Sequence, residues 1–201
     1  MIKVLFKLPR ELTVAFSGGV DSLAVVDFLK RNHKVHCAFY HHGTENSELA
    51  QKVVREYCKS NKLTLTEGYL KSSKPKTESW EEFWRNQRYG FLAQFPYVVT
   101  AHHLDDCVET YLWSSLHGNS KIVLPKHKNV YRPFLTTTKD QFVYWCRKHT
   151  LEWAEDTSNQ SELYTRNYVR KHLVPVALKV NPGLHKVVKK MVLSNLDAQN
   201  V

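Results

Sequence analysis

The stretch "AFSGGVDSLAVVDFL" (residues 15–29) lies between an apolar run and a helical pattern, and it decides the fold. Its two adjacent glycines let the backbone turn tightly and approach a ligand without intervening Cβ atoms. The amides that follow point toward the positive end of a helix, where an anion is stabilised. The predicted phosphate-binding loop consists of Ser17, Gly18, Gly19, Val20, Asp21 and Ser22.

The same stretch lacks the signatures of two common phosphate loops. It contains no G-x-x-x-x-G-K-[ST], so the lysine of a Walker loop is missing, and no G-x-G-x-x-G dinucleotide fingerprint. The alternative is a glycine turn that joins a strand to a helix and binds nothing. The complete six-residue pattern at a strand-to-helix junction favours binding.

Short apolar runs alternate with longer amphipathic ones along the chain. Strands are predicted at 12–16, 35–40, 63–70 and 97–101. Helices are predicted at 22–31, 47–60, about 78–94, 104–117, 138–149 and about 163–173. This order predicts an α/β fold, with a parallel sheet of about five strands and helices on both faces.

The C-terminal third departs from this alternation. Residues 119–133 predict a loop, and the helix after residue 163 is expected to end near Pro175. A last helix is predicted to begin at "NPGL", with Asn181 as its cap and Pro182 in its first turn. Its apolar residues are Leu184, Val187, Val188 and Met191. Residues 161–201 contain seven Lys or Arg and only two acidic residues.

Composition restricts the class of protein. The chain has 201 residues and a formal net charge of +10, which fits a polyanionic partner. Its four cysteines form no C-x-x-C pair and indicate buried thiols in a reducing compartment. The N-terminus lacks the apolar centre of a signal peptide, and no run reaches the roughly 20 apolar residues of a membrane span. We expect a cytoplasmic protein with no membrane partner.

A second motif, "TAHHLDDCVET" (residues 100–110), follows the fourth predicted strand. Asp105, Asp106 and Glu109 lie on the first turns of the next helix, where carboxylates also suit the helix dipole. Because ligands of open parallel sheets bind beyond the carboxyl ends of strands, this motif should face the glycine loop. Its carboxylates could hold Mg²⁺, orient an amine or accept its proton. The adjacent His102 and His103 are both candidates to contact a phosphate.

Five segments together resemble the tRNA(Ile)-lysidine synthases, a family of N-type ATP pyrophosphatases with a PP-loop. The segments are "SGGVDS" (17–22), "YHHG" (40–43), "ESWEEFWRNQRYGFL" (78–92), "TAHHLDDCVET" (100–110) and "EDTSNQSELYTRNYVRKHLVP" (155–175). The last segment discriminates best, since other ATP pyrophosphatases share the loop and the acidic helix. It carries Glu155, Asp156, Ser158, Asn159, Arg166, Asn167, Arg170 and Pro175.

The resemblance implies a fold of the adenine nucleotide alpha hydrolase type and a reaction. Such an enzyme uses ATP and Mg²⁺ to adenylate the wobble cytidine of a tRNA anticodon, and free L-lysine then displaces AMP. The implied catalytic residues are His103, Asp105, Asp106 and Arg166. The implied ATP-binding residues are those of the glycine loop with His42, Gly43 and His102. The implied substrate or tRNA contacts are Arg85, Arg88, Glu109, Asn167 and Arg170, and the implied Mg²⁺ ligands are Asp21 and Asp106.

The resemblance also implies a domain organisation. Residues 1–135 would form the PP-loop core, and residues 136–201 the rest of the catalytic domain with a basic helical extension. The chain departs from the family at "HGNS", where His117 replaces an arginine, and it ends where many such synthases continue into further domains. We therefore expect a minimal form that recognises the anticodon arm of tRNA. The sequence leaves open whether it acts as a homodimer.

Two other functions are compatible with these motifs. A PP-loop tRNA thiolase would need a cysteine relay or an iron–sulfur cluster, and Cys107 is the cysteine nearest the predicted crevice. A catalytically inactive RNA-binding module would keep the basic surface alone. Incubation with ATP, lysine and tRNA, followed by mass analysis of the nucleosides, distinguishes these three hypotheses.

Overall fold

The computed structural model describes residues 1–155 and 165–199. A six-stranded sheet forms its centre, with strands between Glu11 and Tyr131. The strands are β1 (Glu11–Ala15), β2 (Lys34–His41), β3 (Thr64–Tyr69), β4 (Val98–Val99), β5 (Lys126–His127) and β6 (Val130–Tyr131). They lie in the order β3-β2-β1-β4-β6-β5, and all neighbours are parallel except β5 and β6. The predicted α/β fold and its four strands are confirmed.

Helices connect these strands and follow them. They are α1 (Val20–Leu29), α2 (Glu45–Ser60), α3 (Trp80–Leu92), α4 (Leu104–Leu116), α5 (Lys139–Lys148), α6 (Thr165–Tyr168), α7 (Val174–Val180) and α8 (Leu184–Gln199).

The two faces of the sheet carry different helices. Side chains that alternate along a strand point to opposite faces. Val14 of β1 and Cys37 of β2 pack in one buried cluster with α1, α2 and Phe142 of α5. Ala38 of β2 packs on the other face against Leu92 of α3. Helices therefore cover both faces, as predicted.

The order of the strands creates a crevice. From β1 the chain moves outward to β2 and β3, and then returns to β4 on the other side of β1. Val14 thus lies between Cys37 of β2 and Val99 of β4. At such a reversal the connections leave β1 and β4 in opposite directions, which opens a crevice at the carboxyl ends of the strands.

The segment predicted as a loop over 119–133 contains a small hairpin. Lys126 of β5 pairs with Tyr131 of β6, and Val130 of β6 extends the sheet beside Val98 of β4. Two-residue strands are too short to show alternation, and their place depends on pairing with a distant part of the chain. The prediction of a loop is therefore wrong for these strands.

The helix expected to end near Pro175 continues past it. α6 leads into a five-residue π-helical turn, Val169–Leu173, and α7 follows directly. The amide of Val174 donates to the carbonyl of Val169 within this turn. Pro175 then lies in the first turn of α7, where a missing N–H removes no intrahelical bond. The π-helical turn therefore explains why the predicted end is wrong.

The last helix begins at Leu184, three residues after the predicted cap. Asn181 instead shapes the preceding turn, because its side-chain oxygen accepts from the Gly183 amide at 2.9 Å. Leu184 and Val188 of α8 are buried and pack beside Leu104 of α4. The predicted domain boundary at residue 135 stays a prediction. Within the described ranges, no helix combines the length and apolar character needed to cross a membrane.

Candidate active site

A crevice of about 620 Å³ opens at the carboxyl ends of β1, β2 and β4. This volume falls in the range of small-molecule sites. The predicted loop and the start of the acidic motif meet in it. The predicted site residues that line it are Ser17, Gly19, Asp21, Ser22, His42, Arg88, His102 and Asp106, together with Glu155 from the last motif.

The glycine loop is held in a fixed shape at one wall of the crevice. Gly18 has a φ of +80°, which L side chains rarely adopt. The Ser17 amide donates to the Ser22 hydroxyl at 3.1 Å, and the two serine hydroxyl oxygens lie 3.0 Å apart. The amide of Ala154 donates to the Gly18 carbonyl at 3.0 Å. Gly19 caps α1 without a side chain, so the first turn of α1 stays open to an anion.

Three carboxylates surround the imidazole of His103. Its Nε2 lies 3.7 Å from Asp21 Oδ2 and 3.5 Å from Asp106 Oδ2, and its Nδ1 lies 3.4 Å from Asp105 Oδ2. Burial alone would lower the pKa of His103, but Asp106, Asp105 and Asp21 outweigh burial and raise it to about 10. The raised pKa favours the protonated imidazole of His103, whose charge would offset the charges of the three carboxylates.

Asp105 is fixed from two further directions. Its Oδ2 accepts from the backbone amide of Lys139 at 2.8 Å, at the first turn of α5, and its Oδ1 lies 3.2 Å from Nε2 of His185 on α8. Burial opposes ionisation of Asp105, but the contacts with His103, the Lys139 amide and His185 hold its pKa below the usual range. Asp105 thus joins α4, α5 and α8 behind the crevice.

Arg170 connects the C-terminal helices to the acidic motif. Its Nε donates to Glu109 Oε2 at 2.9 Å, and its Nη2 lies 3.4 Å from Asp106 Oδ1. Glu109 is 3% exposed, so Arg170 neutralises a carboxylate that has little access to water. Arg170 is half-buried and keeps part of its guanidinium at the surface.

The other wall of the crevice is aromatic and basic. His42, Trp84, Arg88 and Tyr89 line it, with His42 and Trp84 ring centroids 6.0 Å apart. Nδ1 of His42 and Nε1 of Trp84 are buried without a hydrogen-bond partner in the described part of the chain. Burial, with the positive charge of Arg88 nearby, lowers the pKa of His42 to about 4. A neutral His42 can donate to or accept from a ligand here.

Asp21 and Asp106 offer the oxygen ligands that Mg²⁺ prefers. Oδ1 of Asp21 is buried and has no hydrogen-bond partner among the described residues. In the same ranges, no group of three or more His, Cys, Asp or Glu side chains has the geometry to hold a metal by itself. An ion held by these two carboxylates would need its remaining ligands from phosphate and water.

Several predicted residues lie outside the crevice wall. Behind the wall, or away from it, are Gly18, Val20, Gly43, Arg85, His103, Asp105, Glu109, Asn167 and Arg170. Arg85 is exposed on α3, with its guanidinium 4.7 Å from the Tyr89 ring. Arg166 belongs to α6, but its side chain lies outside the described residues, as do Asp156, Ser158 and Asn159.

The sequence motifs did not identify four residues at or behind the site: Trp84, Arg132, Lys139 and His185. Arg132 is buried, and it donates to the Tyr89 hydroxyl at 3.2 Å and to the Leu124 carbonyl at 2.9 Å. Arg132, Lys139 and His185 carry no local signal, because their partners lie far away in sequence. The aromatic spacing within α3 is the one pattern that could have indicated Trp84.

Comparison with known proteins identifies a PP-loop domain and a similar fold. A family model described as a PP-loop domain matches residues 2–177. The chain is 32% identical to the bifunctional protein TilS/HprT of Listeria innocua over 92% of this chain and 32% of that protein. It is 28% identical to the tRNA(Ile)-lysidine synthase of Vibrio parahaemolyticus over 94% of this chain and 48% of that protein. The chain thus spans about a third to a half of the length of these curated relatives.

Among solved structures, the U34-tRNA thiolase NcsA from Methanococcus maripaludis is similar with a TM-score of 0.72. The alignment covers 96% of this chain and 74% of that one at 15% identity, so it supports the fold alone. The glycine loop, the strand order and the family match agree. The chain belongs to the PP-loop domain family.

Proposed function

We propose that this chain is the catalytic part of a tRNA(Ile)-lysidine synthase. It would adenylate the wobble cytidine of a tRNA anticodon with ATP and then join L-lysine to C2 of that base. The observation that carries the proposal is the meeting of the glycine loop and the acidic start of α4 in one crevice. Similarity to lysidine synthases over about nine-tenths of the chain supports this choice of reaction. Such an enzyme would act in the cytoplasm.

The glycine loop would hold the β and γ phosphates of ATP at the first turn of α1. Asp21 and Asp106 would hold Mg²⁺, which supplies charge neutralisation on the phosphates when bound. On the opposite wall, the neutral ring of His42 and the guanidinium of Arg88 could contact the nucleotide or the incoming base. His102 also lines the crevice, with its Nδ1 2.8 Å from Thr100 Oγ1.

The reaction would proceed in two displacements. The cytidine O2 attacks the α-phosphate and pyrophosphate leaves, which forms an adenylated base. The ε-amine of lysine then attacks C2, the bond from C2 to the adenylate oxygen breaks, and AMP leaves. The attacking amine loses a proton, which Asp106 could accept because its carboxylate lines the crevice. The ring of His103, whose Nε2 lies 3.5 Å from Asp106 Oδ2, would position Asp106 rather than touch the substrate.

The thiolase alternative receives less support from the cysteines. Cys107 is fully buried, and burial together with Asp106 raises the pKa of its thiol, so a reactive thiolate is disfavoured. Cys37, Cys58 and Cys146 are also buried, on β2, α2 and α5. The likeness to a thiolase structure concerns the fold.

The test is a reaction with labelled ATP, L-lysine and tRNA(Ile) transcript. We expect AMP and pyrophosphate, and a nucleoside whose mass corresponds to cytidine plus lysine minus water. Reactions without lysine should yield no such nucleoside. Formation of ADP and phosphate would contradict the assignment of the loop, and a sulfur-containing nucleoside would favour the thiolase. ATP turnover that stays at background with tRNA bound would favour the inactive RNA-binding module.

A further inference from the structure

Three side chains form a stripe along α3 that leads from solvent into the crevice. Trp80, Trp84 and Arg88 are spaced four residues apart, so they lie on one side of the helix. The two indole rings have centroids 5.3 Å apart and planes inclined by 35°. Trp80 is 48% exposed, whereas Trp84 and Arg88 line the crevice. The stripe is thus continuous with the site already described.

Positive charge accompanies the outer end of this stripe. The ammonium of Lys74 lies 5.5 Å from the Trp80 ring centroid, and it is held there by the carbonyls of Pro75 and Glu78. The acidic residues of the first turn, Glu81 and Glu82, follow Trp80 by one and two positions. They therefore lie about 100° and 200° around the helix axis from the stripe. An anionic partner could follow the stripe without meeting them directly.

The inner end of the stripe offers unsatisfied polar atoms. Nε1 of Trp84 and Nδ1 of His42 are both buried and have no hydrogen-bond partner in the described ranges. Leaving a buried polar atom unpaired costs free energy. Both residues line the crevice, so a ligand with donors and acceptors on a planar edge, such as a nucleobase, is the kind of group that suits this end of the stripe.

We propose that Trp80 and Trp84 form a stacking platform for unpaired RNA nucleotides next to the base that enters the crevice. The proposal rests on the proposed function, because it takes RNA as the substrate. Bases that are splayed out of a loop stack readily on aromatic side chains, and the neighbouring cations attract the phosphates between them. Trp80 would bind a flanking nucleotide, and Trp84 would bind at the mouth of the crevice.

The test compares four proteins and two RNAs. The proteins are the wild type, Trp80→Ala, Trp80→Phe and, as a matched control, Trp113→Ala, which removes a similarly exposed tryptophan from α4. The RNAs are a labelled hairpin that carries the tRNA(Ile) anticodon loop and a blunt duplex of equal length. We expect Trp80→Ala to weaken hairpin binding about tenfold. Trp80→Phe should keep most of the affinity, Trp113→Ala should bind like the wild type, and duplex binding should change little.

The hairpin has unpaired bases and the duplex has none, so a stacking platform should favour the hairpin, whereas a general basic surface should bind both. The platform is wrong if Trp80→Ala binds the hairpin like the wild type, if it loses hairpin and duplex equally, or if Trp113→Ala loses as much. Unfolding midpoints show whether Trp80→Ala has a folding defect. If it does, Trp80→Phe decides: wild-type hairpin affinity in this variant supports stacking, whereas a loss of affinity as large as that of Trp80→Ala overturns it. Selective hairpin binding without lysidine formation would leave the platform standing and overturn the reaction. Lysidine formation by a protein whose hairpin binding is unchanged by Trp80→Ala would support the reaction and overturn the platform.

Discussion

At the scale of single residues, the glycine loop contains two glycines with different requirements. Gly18 has a φ of +80°, and a Cβ atom there would lie 2.9 Å from the Ala50 carbonyl oxygen. Gly19 has a φ of −77°, and the nearest atom to an added Cβ is 3.8 Å away. The two positions therefore allow a matched comparison.

We expect Gly18→Ala to lower the free energy of unfolding by about 1–3 kcal/mol, because the left-handed backbone and the contact with α2 both oppose a side chain. Gly19→Ala should change it by no more than about 0.5 kcal/mol. Urea unfolding without nucleotide measures both values. Equal stabilities for the two variants would contradict the strained geometry at Gly18.

Asp106 is the acidic residue of α4 that lines the crevice. Asp106→Asn removes its charge but keeps an oxygen that can accept from the His103 amide, now at 3.0 Å. We therefore expect a folded protein whose lysidine formation falls at least about a hundredfold. The measurement is single-turnover product formation together with the unfolding midpoint. Asp140→Asn, in an exposed first turn of α5, is the control and should retain activity. Near-normal turnover in Asp106→Asn would show that the carboxylate only caps the helix and takes no part in the reaction.

At the scale of elements, Asp27 connects three helices. Its carboxylate in α1 accepts from the Tyr57 hydroxyl of α2 at 2.8 Å and from Trp145 Nε1 of α5 at 3.0 Å. Burial opposes ionisation, but Lys30, Tyr57, Arg31 and Trp145 outweigh it and lower the pKa of Asp27 to about 2. A lowered pKa in the folded state stabilises the protein above the unfolded value of about 3.9, and this contribution is lost as the pH falls through 2.

Asp27→Asn should therefore destabilise the protein by about 2 kcal/mol at pH 7, and the difference from wild type should shrink between pH 4 and pH 2. Urea unfolding across this range measures the difference. Asp140→Asn again serves as the control, because its side chain is exposed. A difference that is constant with pH would show that the carboxylate charge of Asp27 contributes no stability.

The helix α8 lies entirely beyond the residues that the family model matches, yet it reaches the acidic motif through His185. His185→Ala removes one of the contacts that orient Asp105. A hydrogen bond to a charged group contributes about 1.5–3 kcal/mol, so we expect lysidine formation to fall about tenfold. Lys186→Ala, the exposed neighbour, should change the rate constant of the chemical step little. Single-turnover kinetics with saturating RNA measure both variants. Equal rates for His185→Ala and the wild type would show that α8 does not contribute to the site.

Elements with their own periodicity could be predicted from the sequence, and elements that depend on distant partners could not. The buried strand β1 and the amphipathic helices α2 and α5 follow local patterns. The pair β5 and β6 has two residues in each strand and exists because Val130 pairs beside Val98. Likewise, Pro175 is a reliable helix breaker in isolation, but the π-helical turn before it places the ring at the start of a new helical segment.

At the scale of the whole molecule, the sequence predicted the two parts of the site that come from loops at strand ends. The glycine loop and the acidic motif are local patterns, and the strand order brings them together. The supporting contacts were missed, since they join residues that are far apart. Asp105 contacts Lys139 and His185, and Arg132 contacts Tyr89, over separations of 34, 80 and 43 residues. Only the folded chain brings these partners within hydrogen-bond distance.

The distribution of positive charge on the surface suits the RNA substrate of the proposed reaction. Exposed lysines follow Arg170 along the C-terminal helices, at Lys171, Lys179, Lys186 and Lys190. Arg170 also contacts the acidic motif, so this basic segment of the chain begins next to the site. In the proposed reaction a target base would have to leave its stack to enter the crevice, which is easiest in a single-stranded loop. We therefore expect recognition of the anticodon arm, through phosphate contacts that weaken with added salt.

An anticodon stem-loop should accordingly be modified with a kcat/KM within about tenfold of that of full-length tRNA, a difference of about 1.4 kcal/mol. The double variant Lys186→Gln, Lys190→Gln should raise KM for both RNAs and reduce the dependence of KM on salt, because fewer counterions are released on binding. Lys148→Gln is the matched control, since Lys148 is at the far end of α5 from the Lys139 amide that contacts Asp105. Steady-state kinetics at several ionic strengths test all three proteins. A stem-loop that is inert while full-length tRNA reacts well would mean that recognition depends on parts of the tRNA distant from the anticodon.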